Sequence, residues 1–314
     1  MGGDRMRKYL FKRLVLSVVT LFVILVCLFL LLSFMPGSPF NSEKLSADQV
    51  AVLNEKYGLD RPLPERFMAY LGNMLKGDLG VSYSLSSDTP VSLLIKNRLP
   101  ITVTIGVSSL VIGAVLGIIV GICAALWKSR IVKFFYHILT IVGIAVPSYL
   151  IAIFLSYFVG YKMQMLPLLY DYKHPVLTSI MPVLSMSAIV VAVLSRFTYE
   201  EARRVLNSDY VQLARCQGVS RVTLITHYIL PNSIMPVITV TAMLLVGLMT
   251  GSLVIERMFS IPGTGALLTD AISTNDYNVI LALSFVYSAM YIIAMLIVDI
   301  LYCIVDPRVR IAED

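Results

Sequence analysis

The 314 residues are 58% apolar and only 14% charged, far from the near-half apolar, quarter-charged make-up of water-soluble domains, and the mean hydropathy is +0.83. So much apolar surface cannot be hidden in one soluble core, which excludes an ordinary water-soluble domain and makes a bilayer the expected solvent. The net charge of +6 would suit nucleic acid, but the placement of the charges along the chain gives a different reason for it.

Crossing about 30 Å of hydrocarbon takes about 20 mostly apolar residues in a helix. Six stretches qualify, at residues 14–35, 101–127, 135–159, 180–194 with its flanks, 234–255 and 279–305. Each must satisfy its own backbone hydrogen bonds, so the expected fold is all-α, with six transmembrane helices. The first stretch follows a basic start, Arg5, Arg7, Lys8, Lys12 and Arg13, as a secretory leader would. Its apolar run is longer than a leader core, and Phe34-Met35-Pro36-Gly37 offers no small-residue cleavage site, so residues 1–35 read as a tail and a retained first helix.

Residues 36–100 are the one long segment able to fold in water. Turn signals at Pro36-Gly37, Arg61-Pro62 and Gly77-Asp78 divide it. Phe67, Leu71, Met74 and Leu75 recur at helical spacing within 64–75, which predicts a small extracytoplasmic loop region with one short helix. In the second span Gly113, Gly117 and Gly121 repeat a small residue every fourth position, suited to close packing within the chain or against a partner. Pro147 should kink the third span, either to shape a central cavity or as a bend between packed helices. The fourth span is short and polar-spotted, with Ser185 and Ser187.

The connection at 196–232 is too long for a turn and too patterned for a linker. Asn207, Ser208 and Asp209 are capable N-caps. Tyr210, Leu213, Ala214 and Gln217 follow at helical spacing, and Gly218 stands where a left-handed cap belongs. Ser220 can cap a second helix at 221–230 that stops at Pro231. The result is a helix, glycine turn and helix over 207–231 with no buried place of its own, a pattern that invites a partner. In the last span Asp299 is an intramembrane carboxylate, placed either on a translocation path or near the helix end, paired with a basic residue or facing a partner.

Lys and Arg orient the bundle. With the N-terminus inside, the inner segments hold 15 basic and 7 acidic residues and the outer segments 10 and 11. Both termini are then cytosolic, the basic excess marks the inner face, and no nucleic-acid partner is needed. Cys27, Cys123, Cys216 and Cys303 are far apart and read as reduced thiols. His137, His174 and His227 are scattered, so no metal site is expected. The absence of any Gly-Lys pair removes the phosphate-gripping lysine of a nucleotide loop, and neither Gly-x-Ser-x-Gly nor His-Glu-x-x-His occurs. Nothing points to catalysis by this chain, and a stand-alone secondary transporter would have Asp299 as its sole coupling carboxylate.

The 207–231 segment resembles the cytosolic signature of ABC importer permeases, Glu-Ala-Ala, three residues, Gly, nine residues, Ile-x-Leu-Pro. Ala214, Gly218, Leu230 and Pro231 match, while Gln212, Leu213 and Tyr228 depart from it. Asp209-Tyr210-Val211, Ala214-Arg215-Cys216-Gln217-Gly218 and His227 with Pro231-Asn232 are similar to the peptide-permease form. The opening Arg7-Lys8-Tyr9-Leu10 to Met35-Pro36-Gly37 resembles the B-type subunit of oligopeptide and dipeptide importers, as do Tyr57-Gly58-Leu59-Asp60 and Gly77-Asp78-Leu79-Gly80. Glu256, Phe259, Pro262-Gly263-Thr264-Gly265 and Asp306-Pro307-Arg308 look like the family's closing segments.

The resemblance implies a permease core at 101–306 and a cytosolic tail at 307–314, in a bacterial or archaeal cell membrane. It implies ATPase coupling through Asp209, Tyr210, Leu213, Ala214, Arg215, Gly218, His227 and Pro231, with Pro147, Glu256 and Asp299 at the pathway or an interface. The implied partners are a second homologous permease, two cytosolic ATPase subunits, an extracytoplasmic peptide-binding protein and membrane lipid. No cofactor is expected in this chain, ATP and magnesium being held by the ATPase subunits. Oligopeptides are the expected cargo, with nickel complexes, glutathione and sugars as alternatives.

Overall fold

The computed structural model describes residues 2–34, 40, 46–249 and 252–305, and side chains there except at 2–10, 47, 235, 246 and 298–305. Among the described residues the sole β pairing is an isolated antiparallel bridge between Val81 and Pro90. Everything else that is regular is helical. Four helices are long and apolar enough to cross a membrane, and six spans result if each of two bent helix pairs counts as one.

One compact unit comprises Met1–Thr102 and Pro262–Leu296. It contains α1 (Gly2–Ser33), α2 (Ala47–Lys56), α3 (Leu63–Leu75), the start of α4 (Val91–Leu126), α12 (Thr264–Ser273) and most of α13 (Tyr277–Val305). Its core gathers Phe29, Leu32, Val91, Ile95, Leu267 and Leu283. The short helix expected at 64–75 is α3; α2, closed by a reciprocal Ser46–Gln49 capping box, had not been anticipated. α4 begins at Val91 rather than at 101 and carries Pro100 inside it. Val91 and Ile95, four residues apart and buried, hold that first turn in the core despite the hydrogen bond that Pro100 removes. Large apolar side chains of α1, among them Leu14, Val18 and Phe22, are exposed, as in a lipid-facing helix.

The second unit, Val103–Ile261 with the chain from Ile297 on, holds the rest of α4, α5 (Arg130–Ala145), α6 (Ser148–Leu155), a π-helical turn (Ser156–Lys162) and α7 (Pro175–Leu206). It continues with α8 (Asp209–Cys216), α9 (Arg221–Thr223), a second π-helical turn (Leu224–Ile229), α10 (Leu230–Met249) and α11 (Leu253–Met258). α7 is the hub, packing on α5, α6 and α10. The α4 glycines serve this unit internally. A Cβ on Gly113 would lie 2.5 Å from the Val190 Cβ, and one on Gly121 2.6 Å from the Thr198 Cβ, both on α7.

Three expectations need correcting here. The third span is not one kinked helix, because α5 and the α6 pair are bent by 105°. Pro147 drives Val146 to an extended ψ of 118° and itself opens α6 with a ψ of 141°. The fourth span does not end near 194: Thr198, Ala202 and Val205 continue the buried stripe, and α7 runs on to Leu206. Pro231 does not stop the helix that begins at Arg221. The π-helical turn before it and α10 are continuous, with a 50° bend between 221–234 and 236–249. Pro231 gives up one amide bond inside this continuous helix, and the π-helical turn lies directly before it.

Candidate functional site around α8

α7 ends at Leu206 with Asn207 as its C-cap, and the chain turns at once into α8. Ser208 occupies the N-cap position, but its hydroxyl donates back to the Val205 carbonyl at 2.6 Å instead of capping α8. The far end of α8 is closed as the sequence predicts. Gly218 sits at φ +75°, its amide donates to the Arg215 carbonyl at 3.0 Å, and the Val219 amide donates to the Ala214 carbonyl at 3.1 Å. These two bonds form a Schellman cap, which requires a left-handed residue and therefore favours glycine. Ser220 then accepts a hydrogen bond from the Thr223 amide at 3.2 Å and starts the next helix.

The apolar face of α8 divides differently from the expected stripe. Val211 and Ala214 are 0% and 2% exposed, packed with Ala202 and Val205 of α7 and with Leu224 and Ile229. The segment therefore has a buried seat within its own chain, contrary to expectation. Ala214 belongs to that seat and not to an outer surface. Tyr210 and Leu213 remain 44% and 60% exposed one turn apart, and Val222 is 71% exposed. Asp209, Arg215, His227 and Pro231 are exposed as well, with His227 Nδ1 2.8 Å from the Thr226 hydroxyl. The α8 surface thus offers an aromatic and an aliphatic anchor beside mixed charge, a composition suited to protein recognition.

The remaining site residues lie apart from α8. Pro147 is the hinge between α5 and α6. Glu256 is 3% exposed in α11, where Ser252 accepts from the Ile255 amide and the Glu256 carbonyl accepts from the Ile261 amide at 2.8 Å. The side chain of Asp299 lies outside the described residues. Cys27, Cys123 and Cys216 are free thiols, and Cys303 lies outside the described side chains.

Sequence reasoning missed a polar clamp in the first unit. Asp276 is fully buried, and its Oδ2 accepts from the Ser82 hydroxyl at 2.5 Å and from the amides of Tyr83, Ser84 and Leu85 at 3.0–3.1 Å. Asn278 donates to the Val81 carbonyl at 2.7 Å. The 80–90 turn is thereby wrapped around the chain entering α13, with the carboxylate filling a nest of successive amides. Nearby, burial pushes the Tyr83 hydroxyl up to about 12, a rise that the Arg66 charge opposes. The contact joins positions nearly 200 apart in sequence, so no local pattern announces it.

Comparison with known proteins agrees with this architecture. Residues 80–311 match the model of the binding-protein-dependent transport system inner membrane component, and residues 6–106 that of its N-terminal membrane part. The dipeptide transport system permease protein DppB of Lactococcus lactis is 37% identical over 98% of this chain and 100% of its own length. The oligopeptide transport system permease protein OppB of Haemophilus influenzae is 33% identical over 97% of this chain and 100% of its own. The glutathione transport system permease protein GsiC of Shigella flexneri is 32% identical over 97% and 99%. The resemblance to B-type permeases of oligopeptide and dipeptide ABC importers is borne out over the whole chain. With its lipid-facing apolar helices and full-length match, the chain belongs to the binding-protein-dependent transport system inner membrane components, the multi-pass permease subunits of ABC importers.

Proposed function

We propose that this chain pairs with a second homologous permease to form the path by which oligopeptides enter the cell. An extracytoplasmic binding protein delivers the peptide, and two cytosolic ATPase subunits, which hold the ATP and magnesium, drive the cycle. The observation that carries the cargo assignment is the full-length similarity to permeases named for dipeptides and oligopeptides. Glutathione is the second reading, favoured by the similarity to a glutathione permease over nearly the same length.

In this reading the chain crosses the membrane six times with both termini inside, in keeping with the basic excess of the inner segments. α8 is the coupling helix. Its inner face is tied to α7 through Val211 and Ala214, so a push on Tyr210 and Leu213 is transmitted to the longest helix of the second unit. Pro147, Glu256 and Asp299 serve the pathway or the permease interface.

Replacing Leu213 by Asp places a carboxylate on the proposed docking face without touching the buried seat. We expect normal membrane insertion, with co-purified ATPase and labelled-peptide uptake each reduced at least about tenfold, the scale of one lost interface anchor. Wild-type values of both would remove α8 as the coupling element. Uptake of glutathione in place of longer peptides by the unmodified importer would decide for the second reading.

A further inference from the structure

The first unit contains a cavity of about 180 Å³ that the transport reading does not use. Its lining includes Phe29, Leu32 and Ser33 from the last turns of the first apolar span, and Tyr277, Asn278 and Leu281 from the first turns of the last one. Where span ends meet, hydrocarbon gives way to the headgroup layer. With α1 and α13 as membrane spans, the cavity comes at the level of lipid phosphates.

Its polar lining is unusual. Arg61 and Arg66 both face it, and among the described residues neither forms a salt bridge; the pairs found are Lys56–Asp88, Arg196–Glu200 and Arg204–Glu201. The Arg66 guanidinium stands 5.8 Å over the Phe29 ring, which fixes it at the cavity wall. Tyr70 also lines the cavity, and among the described residues its buried hydroxyl has no hydrogen-bond partner, a state rare in folded proteins. Asp78 is the one carboxylate of the lining, and its Oδ1 is engaged by the Gly80 amide at 2.8 Å. Two cations and a donor without an acceptor leave an unmet demand for an oxyanion.

We propose that this cavity binds the phosphate of a phospholipid headgroup, with Arg61 and Arg66 on its oxygens and Tyr70 donating a further hydrogen bond. Guanidinium forks match phosphate oxygens in geometry as well as charge. The volume is below the roughly 300–1,000 Å³ of pockets for drug-sized ligands, so it suits one headgroup and not a peptide. Leu30 and Leu31, 40% and 62% exposed on α1, offer apolar surface for the acyl chains alongside.

The test is native mass spectrometry of the full-length chain in a mild non-ionic detergent, titrated with phosphatidylglycerol, with diacylglycerol, and with inorganic phosphate. A phosphatidylglycerol adduct is expected that weakens at least about tenfold when Arg61→Gln and Arg66→Gln are combined, the scale of one lost charge-assisted bond. Tyr70→Phe, which keeps the ring, should weaken it several-fold. Lys76→Gln with Lys96→Gln removes two exposed cations of the same unit that do not line the cavity, and should leave it unchanged. Unaltered melting temperature and elution volume show that a variant is folded; if the double arginine variant is not, Tyr70→Phe decides. Equal binding of diacylglycerol, or an adduct indifferent to the arginines and Tyr70, overturns the proposal. Inorganic phosphate bound without any lipid adduct overturns the lipid as its source.

Discussion

Asp276 shows what a single buried carboxylate does for the irregular 80–90 turn. Its Oδ2 is the acceptor for one hydroxyl and three amides, and its Oδ1 accepts from the Val279 amide at 3.4 Å, so Asp276→Ala would take this partner from five donors. Each stranded buried donor costs about 1–3 kcal/mol, and water entering the gap recovers part of that. A loss of roughly 3 kcal/mol is expected, read as a lower melting temperature of the purified chain, with Asp276→Asn losing less because one oxygen remains. A melting temperature unchanged in Asp276→Ala would show that the clamp does not hold the unit. Gly218 is the contrasting case. A Cβ there meets nothing within 4 Å, so the cost of substitution is the left-handed backbone alone. Gly218→Ala and Gly218→Val should each lose on the order of 1–2 kcal/mol of local stability, seen as faster proteolysis at 215–221. The sequence displayed Gly218, because a helix-ending glycine is a local signal, and hid Asp276, because its partners lie in a distant segment.

At the level of elements, the close approach of α4 to α7 makes a sharp prediction. Gly113→Leu would drive a side chain into Val190 and the Ser187 carbonyl, so the helices must separate and the fold should lose about 1–3 kcal/mol, the usual cost of overpacking. Gly72→Ala in the middle of α3 has open space around its Cβ and should gain about 0.5–1 kcal/mol from helix propensity. Thermal melts of the two variants should move in opposite directions. If both move alike, the α4–α7 contact is not set by glycine. This scale also shows where local reading stops. The apolar runs located the long apolar helices, because hydrophobic length is visible in composition. The ends of α4 and α7 were misplaced by about ten residues, because Val91 and Val205 owe their helical state to burial against other elements. On α8 the apolar pattern was legible, but which half of it faces α7 is a tertiary fact.

For the whole molecule, the bent pair α5–α6 decides the topology on which coupling rests. In the proposed orientation Ser129 is cytosolic, so α8 can meet a cytosolic ATPase only if it lies on that same side, and the chain between them contains α7 and that bent pair. Two crossings return the chain to the side it left, whereas one crossing would put α8 outside. With 16 residues, α5 reaches about 24 Å, most of the hydrocarbon thickness. The α6 pair then turns by 105° with Tyr149, Phe154, Tyr157 and Tyr161 exposed, a composition suited to lying along the headgroup boundary. We therefore expect α5 to cross and Lys173 to lie outside. In a background where all four native cysteines are replaced, Ser87→Cys and Lys173→Cys should react with an impermeant maleimide in intact cells. Ser129→Cys and a cysteine restored at position 216 on α8 should react only after the membrane is opened. Labelling of Lys173→Cys from inside, with Ser129→Cys also inside, would make the pair re-entrant and leave four or five crossings. α8 would then face away from any cytosolic motor, and the coupling role would have to pass to another surface.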